Sequence, residues 1–112
     1  MGEIYSTQPK VHRSGVTAVD SADPADTSGA IDSKGYKECR FDVTITGTIT
    51  RLEVQVLFWN PRQEKWWGGG KRTFTSTGQH ALVVDCRGAI IFLKVTAFSG
   101  TSFSLSADYV LS

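Results

Sequence analysis

The sequence lacks an excess of charge of either sign, because 12 Lys and Arg residues stand against 11 Asp and Glu residues, a formal net charge of +1. Nucleic acids and anionic membrane surfaces select basic chains, so neither is expected as a partner. No run approaches the roughly 18 apolar residues of a membrane helix. Residues 1–10 (MGEIYSTQPK) also lack the apolar segment of a secretory signal. We therefore expect synthesis in the host cytoplasm and no membrane insertion.

Residues that carry chemistry are scarce. The two histidines, His12 and His80, have no Ser, Cys or carboxylate at a spacing that suggests a triad, and no phosphate-loop or zinc signature is present. Two cysteines, Cys39 and Cys86, are too few for a zinc site. In a reducing cytoplasm we expect them to be free thiols on inward strand faces, and they could be neighbours in the core. We predict no catalytic residues, no cofactor and no bound metal.

Residues 1–35 differ from the rest of the chain, since they are rich in Ser, Asp, Gly, Pro and Ala and carry few apolar side chains. They are predicted to form an extended N-terminal arm, ordered by its own domain or by another subunit. Within the arm, Lys10–Val19 is compatible with a short edge strand, and Asp20–Gly29 has turn and loop chemistry. The spacing of the acidic residues does not match a calcium loop, so turns explain them better: Asp20, Asp23, Asp26 and Asp32.

Residues 36–112 are predicted to form one β domain. The clearest strand is Tyr36–Thr46, where apolar side chains fall on alternate positions: Cys39, Phe41, Val43 and Ile45. The same alternation continues in Arg51–Trp59, His80–Cys86 and the C-terminal run from Ser102. Ala89–Phe98 is apolar on both faces, as a central strand covered on both sides would be. Turns are predicted at Gly47-Thr48, Asn60–Lys65, Ser76–Gln79 and Ser99–Thr101.

About six strands with short connections favour antiparallel neighbours. The predicted fold class is therefore all-β, an antiparallel β-sandwich of the jelly-roll or immunoglobulin-like kind, occupying residues 36–112 behind the arm of residues 1–35.

The sharpest local feature is an aromatic hairpin, in which Trp59, Trp66 and Trp67 flank a turn that carries Arg62 and Lys65. Consecutive residues of a strand point to opposite faces, so only one of Trp66 and Trp67 can enter the core. Three interpretations stay open for these five residues: a cap on the end of the sandwich, a protein interface, or a platform on which a sugar stacks. The following Gly68-Gly69-Gly70 indicates a turn or a bulge, because no helix follows as a phosphate loop requires.

Two further runs carry a resemblance. Thr27–Gly47 (TSGAIDSKGYKECRFDVTITG) resembles the start of small virion proteins of tailed bacteriophages, in which a polar arm leads into the first strand of a sandwich. Arg87–Ser112 (RGAIIFLKVTAFSGTSFSLSADYVLS) is similar to their closing hairpin. The resemblance implies a structural protein of the capsid or tail that acts by assembly, and it supplies no site residues.

The sequence thus favours a non-enzymatic virion structural protein, most specifically a capsid decoration (cement) protein. Its expected partners are copies of itself, pictured as a homotrimer, and the major capsid or tail protein. A tail or baseplate component is the first alternative. A carbohydrate-binding module that uses an exposed Trp, with a glycan as ligand, is the second.

Overall fold

The computed structural model describes the backbone of residues 10–112 and the side chains from Arg13 onward. Within residues 10–112, six strands form one sheet, and every strand pair in it is antiparallel. They are β1 (Lys10–Val16), β2 (Ile31–Asp32), β3 (Glu38–Asn60), β4 (Lys65–Phe74), β5 (Gly78–Asp85) and β6 (Ile90–Leu111). Residues 10–112 contain no helix.

Two long strands form the centre of the sheet. β3 and β6 pair along almost their whole lengths, from Cys39 opposite Leu111 to Phe58 opposite Ile91. β5 lies beside the first half of β3, and β4 lies beside its second half. On the far side of β6, β1 pairs with the second half and β2 with the first.

Both central strands bend sharply. A straight strand of 23 residues would extend about 75 Å, whereas the longest dimension of the molecule is 40 Å. The bend lies where the register shifts, beside Gly47 at φ 109° and Gly100 at φ 143°. These angles are open to glycine and strained for other residues. The turns predicted at Gly47-Thr48 and Ser99–Thr101 are therefore wrong, because each site is a bend inside a continuous strand.

The bend allows both halves of the sheet to contribute to one core. In β3 the positions that enter the core cluster are odd-numbered from Cys39 to Ile45 and even-numbered from Leu52 to Val56, so the burial phase changes by one residue across the bend. The buried cluster draws on both halves of β3 and of β6, including Phe41, Val43, Leu52, Val54, Ile91, Leu93, Phe103 and Leu105. Folding the sheet onto itself is how a chain with no helix in its described part hides these side chains.

The predicted all-β antiparallel class is confirmed. The predicted aromatic hairpin is also confirmed, since Leu52 pairs with Phe74 and Trp59 with Trp66. All six strands belong to one hydrogen-bonded sheet, so the jelly-roll or immunoglobulin-like sandwich stays a prediction.

An extended arm is not confirmed, because residues 10–35 of the predicted arm supply β1 and β2, which both pair with β6 of the same chain. Residues 1–9 of that arm, and the side chain of His12, lie outside the described residues. β1 has two register shifts against β6, an irregularity that suits an edge strand. The division at residue 35 stays a prediction.

The bend yields a stability prediction. A Cβ added at Gly100 would lie 2.5 Å from the Thr48 carbonyl oxygen, and one at Gly47 would collide with the Ser102 carbonyl oxygen. We expect Gly47→Ala and Gly100→Ala each to lower the free energy of unfolding by about 2–4 kcal/mol, through backbone strain and overpacking. Urea denaturation followed by tryptophan fluorescence measures the loss.

Gly70→Ala is the matched control, since a Cβ at Gly70 meets nothing within 4 Å and its φ is not positive. It should change the free energy of unfolding by less than about 1 kcal/mol. Equal effects at Gly47 and Gly70 would contradict the role assigned to the bend.

Candidate functional site

The hairpin between β3 and β4 is held by its first turn residue. The Asn60 side-chain oxygen accepts hydrogen bonds from the backbone N–H groups of Arg62 and Gln63, each at 3.0 Å. The backbone N–H of Glu64 donates to the Asn60 carbonyl at 2.8 Å. This turn leaves the side chains of Arg62 and Lys65 exposed to solvent.

Trp66 and Trp67 point to opposite faces, as their positions in one strand predict. Trp66 is 8 % exposed, whereas Trp67 is 55 % exposed. The indole N–H of Trp67 donates to the Gln63 side-chain oxygen at 3.1 Å, which fixes the ring beside the turn. Of the three tryptophans in the predicted aromatic hairpin, Trp67 therefore presents the most accessible ring.

Trp66 belongs to a small aromatic cluster on the outer face of the sheet, away from the main core. Its ring meets Trp59 edge-on at 5.1 Å and lies 6.1 Å from the ring of Phe92. Leu57, which pairs with Phe92 across the strands, is also buried yet lies outside the main core cluster. A cover is needed to bury these side chains on an outer face.

Residues 17–30, which we call the leader loop, provide that cover. The indole N–H of Trp66 donates to the Pro24 carbonyl at 2.9 Å. Lys94 of β6 forms an ion pair with Asp23 at 2.9 Å. The loop thus covers the Trp66 ring. The sequence does not indicate this contact, because no local pattern links residues 24 and 66.

A clamp between Arg13 and Asp20 fastens the start of this loop to β1 and β6. The Arg13 guanidinium binds both carboxylate oxygens of Asp20, at 2.5 and 3.1 Å, and also donates to the Leu93 carbonyl. The Val95 N–H donates to the same carboxylate at 3.0 Å, and the Asp20 N–H donates to the Val95 carbonyl at 2.8 Å. The guanidinium also lies over the Phe92 ring, 4.9 Å from its centroid.

The clamp changes the acidity of Asp20. Burial acts to raise its pKa, but the hydrogen bonds from Arg13 and Val95 and the charges of Arg13 and Lys94 act in the opposite direction. The net effect holds the pKa of Asp20 below its usual value.

The glycine run of β4 forms a bulge, as one of the two sequence interpretations proposed. Gln55 pairs with Lys71 and Leu57 with Gly68, so Gly69 and Gly70 together oppose Val56. A Cβ at Gly69 would lie 2.5 Å from the Phe58 ring, which explains glycine at that position.

The two cysteines are free and buried, as predicted. Cys39 lies in β3, whereas Cys86 follows the last residue of β5 and its thiol donates to the Tyr36 carbonyl at 3.4 Å. Burial, reinforced by the neighbouring Cys86, raises the pKa of Cys39 to about 12. Such a thiol is poorly suited to act as a nucleophile.

Three further ionisable side chains have structural partners. His80, half-buried near the start of β5, stacks on Phe74 at 4.7 Å, and its Nε2 lies 2.9 Å from the Ser76 carbonyl oxygen. Asp26 accepts hydrogen bonds from both the N–H and the hydroxyl of Ser28, and Asp32 accepts from the Lys34 N–H. The contacts of Asp26 and Asp32 are turn contacts, as the sequence predicts for these acidic residues.

Two clefts of similar volume have different linings. One, of about 450 Å³, is lined by Gly35, Lys37, Glu38, Asp85 and Arg87, a set without hydroxyl, thiol or imidazole groups. Another, of about 420 Å³, has a polar lining that includes Asp42, Thr44, Gln79, His80 and Asp108. Across the residues that the structure describes, no three His, Cys, Asp or Glu side chains are grouped to hold a metal ion. The same part of the chain includes no helix with the length and apolarity to cross a membrane.

A solved structure shares this fold. The chain matches the crystal structure of the SPBc2 prophage-derived protein YomS with a TM-score of 0.57, over 100% of this chain and 97% of that one, at 13% sequence identity. The likeness therefore concerns the fold, from end to end. No protein family and no curated protein matches the sequence.

The clamp gives a prediction about stability and pH. Asp20→Asn keeps the shape of the side chain but leaves Arg13 without its counter-charge, so we expect a loss of about 1–3 kcal/mol in the free energy of unfolding at pH 7. Since folding lowers the pKa of Asp20, this stabilisation is complete above the ordinary carboxyl value of about 4. It disappears as the pH falls through the lowered value. Urea titrations between pH 2 and 7 measure the difference.

Asp23→Asn is the control, because Asp23 makes an ion pair with Lys94 at a more exposed position, where about 0–1 kcal/mol is expected. A loss at Asp20 that persists unchanged at the lowest pH would show that charge is not its cause.

Proposed function

We propose that the chain is a non-enzymatic structural protein of a bacteriophage virion, and most specifically a capsid decoration protein. The observation that carries the proposal is the end-to-end likeness of its fold to a prophage-derived protein. It agrees with the resemblance of Thr27–Gly47 and Arg87–Ser112 to small virion proteins of tailed phages, which was argued from sequence.

The chemistry of the described residues supports a role in assembly. The thiol of Cys39 has a raised pKa, the ring of His80 is stacked and within hydrogen-bonding distance of a carbonyl, and Asp20 is committed to Arg13. A protein that works by contact needs stable surfaces more than activated groups. In this proposal the chain acts through area buried against its own copies and against the major capsid protein, with a tail or baseplate protein as the alternative partner.

The test is to look for the chain in particles. Phage particles from cells that carry the gene are purified on a density gradient and analysed by mass spectrometry, and an antibody against the chain is visualised by immunogold labelling. We expect the chain at a fixed ratio to the major capsid protein, with label over the heads. Label over the tails would favour the tail or baseplate alternative. Presence in the lysate but not in the particles would overturn the proposal.

A second candidate function rests on Trp67. An indole ring that is 55 % exposed beside Arg62 and Lys65 could stack on a sugar, with the neighbouring side chains donating to its hydroxyls. Trp66 and Trp59, which contact each other in the outer-face cluster, are less suited to such a platform.

The glycan candidate predicts binding of the purified chain to a glycan array, with loss of at least about tenfold in affinity on Trp67→Ala, equal to about 1.4 kcal/mol. Val83→Ala, another exposed apolar position, is the control and should bind as the parent does. If the parent chain bound no glycan on the array, this function would be contradicted and the virion proposal would be unaffected.

A further inference from the structure

The molecule has an open side where two strand edges lie on either side of a groove. β4 and β5 each pair only with β3 in the described part of the chain, so their outer edges are free of strand partners there. A groove of about 320 Å³ lies between them. Its apolar lining comes from β3 and β5: Val56, Phe58, Leu82, Val83 and Val84. Unpaired edges beside accessible apolar side chains are a site for strand addition.

Both edge strands present a large apolar side chain to solvent. Trp67 on β4 and Val83 on β5 are each 55 % exposed. Among the described residues, the other large apolar side chain with comparable exposure is Val19 of the leader loop, at 40 %. The exposed apolar side chains thus concentrate on the two strands that border the groove, which indicates an interaction surface.

The two rims of the groove carry opposite charges. Lys71 and Arg72 lie on the β4 rim, and Asp85 lies on the β5 rim. Lys71 is 3.6 Å from Glu53, and the Arg72 guanidinium lies 5.4 Å from the centroid of the Phe74 ring. Asp85 pairs with Arg87, but both side chains are strongly exposed, so that pair contributes little and can be exchanged.

A surface with a basic rim and an acidic rim is complementary to itself. When two copies face each other across a two-fold axis, the basic rim of each meets the acidic rim of the other, and every contact is made twice. This self-complementarity favours a second copy of the chain over a partner of a single charge.

We propose that the β4–β5 side of the molecule is the contact surface for a second copy of the chain, with β4 of one copy beside β5 of the other. Arg72 of each copy then lies near Asp85 of the second copy, and the exposed faces of Val83 and Trp67 become covered. The inference deepens the proposed function and rests on its requirement for self-assembly. A two-fold contact builds a dimer, or the paired unit of a larger assembly, in place of the expected trimer.

The first experiment compares two exposed valines. Sedimentation equilibrium of the full chain over a dilution series should give twice the monomer mass of 12.2 kDa at the highest concentrations. Val83→Arg should raise the dissociation constant at least about tenfold. Val19→Arg, the matched change at an exposed valine away from the groove, should leave it unchanged. A parent chain that stays monomeric throughout overturns the inference, as does equal dissociation for the two variants.

The second experiment exchanges the charges. Arg72→Glu and Asp85→Arg should each weaken dimerisation, since each places like charges opposite one another, and the double variant should restore it. Circular dichroism and thermal unfolding of each variant establish that it is folded. A double variant no better than either single variant would overturn the Arg72–Asp85 contact.

The outcomes separate the two proposals. A chain found in particles but monomeric in solution, whose Val83→Arg variant is incorporated normally, overturns the contact surface and keeps the virion role. A chain that dimerises through this surface but is missing from particles keeps the contact surface and overturns the virion role. Association of the groove with a capsid or tail protein in place of a second copy also overturns the inference.

Discussion

The pairing of β3 with β6 is the interaction on which the rest of the molecule depends. Each strand is about twice as long as the domain can accommodate in a straight line, so the pair must bend. Gly47 and Gly100 allow the bend because their positive φ angles bring each backbone against the carbonyl of the neighbouring strand. Every other strand is placed by this pair, since β4 and β5 follow the two halves of β3, and β1 and β2 follow the two halves of β6.

The bend also gives the sheet an inner and an outer face, which are buried in different ways. The inner face is closed by the sheet itself, which buries Phe41 and Leu52 in one cluster although they lie on opposite halves of β3. The outer face of the second half carries Trp66 and Leu57, and the leader loop covers it. That cover is held largely by polar contacts, chiefly the Arg13–Asp20 pair, and so its strength depends on charge and pH.

The sequence predicted the features that follow from local patterning. Alternation of apolar residues located β3 and the C-terminal half of β6, and the turn predicted at Asn60–Lys65 located the β3–β4 hairpin. The opposite orientations of Trp66 and Trp67 follow from strand geometry alone. The errors at Gly47 and Gly100 have a physical reason, because glycine with a positive φ serves a tight turn and a bent continuous strand equally well.

The other misses concern contacts between residues distant in sequence. Nothing near Pro24 indicates that it accepts the Trp66 indole N–H, and nothing near Asp20 indicates Arg13 and the Val95 backbone as its partners. An arm was predicted because residues 1–35 carry few apolar side chains. Residues 10–16 and 31–32 nevertheless lie against β6 through backbone pairing, which needs no particular side chain. The sequence therefore predicted the tryptophan hairpin of the candidate site, but it did not predict that the leader loop covers Trp66.

The pairing of Cys39 with Leu111 has a consequence for biosynthesis. The first half of β3 cannot gain its central neighbour until the C-terminal half of β6 has left the ribosome. During translation the nascent chain therefore carries an apolar strand with one side unprotected, and assembly of the sheet waits for the last residues of β6.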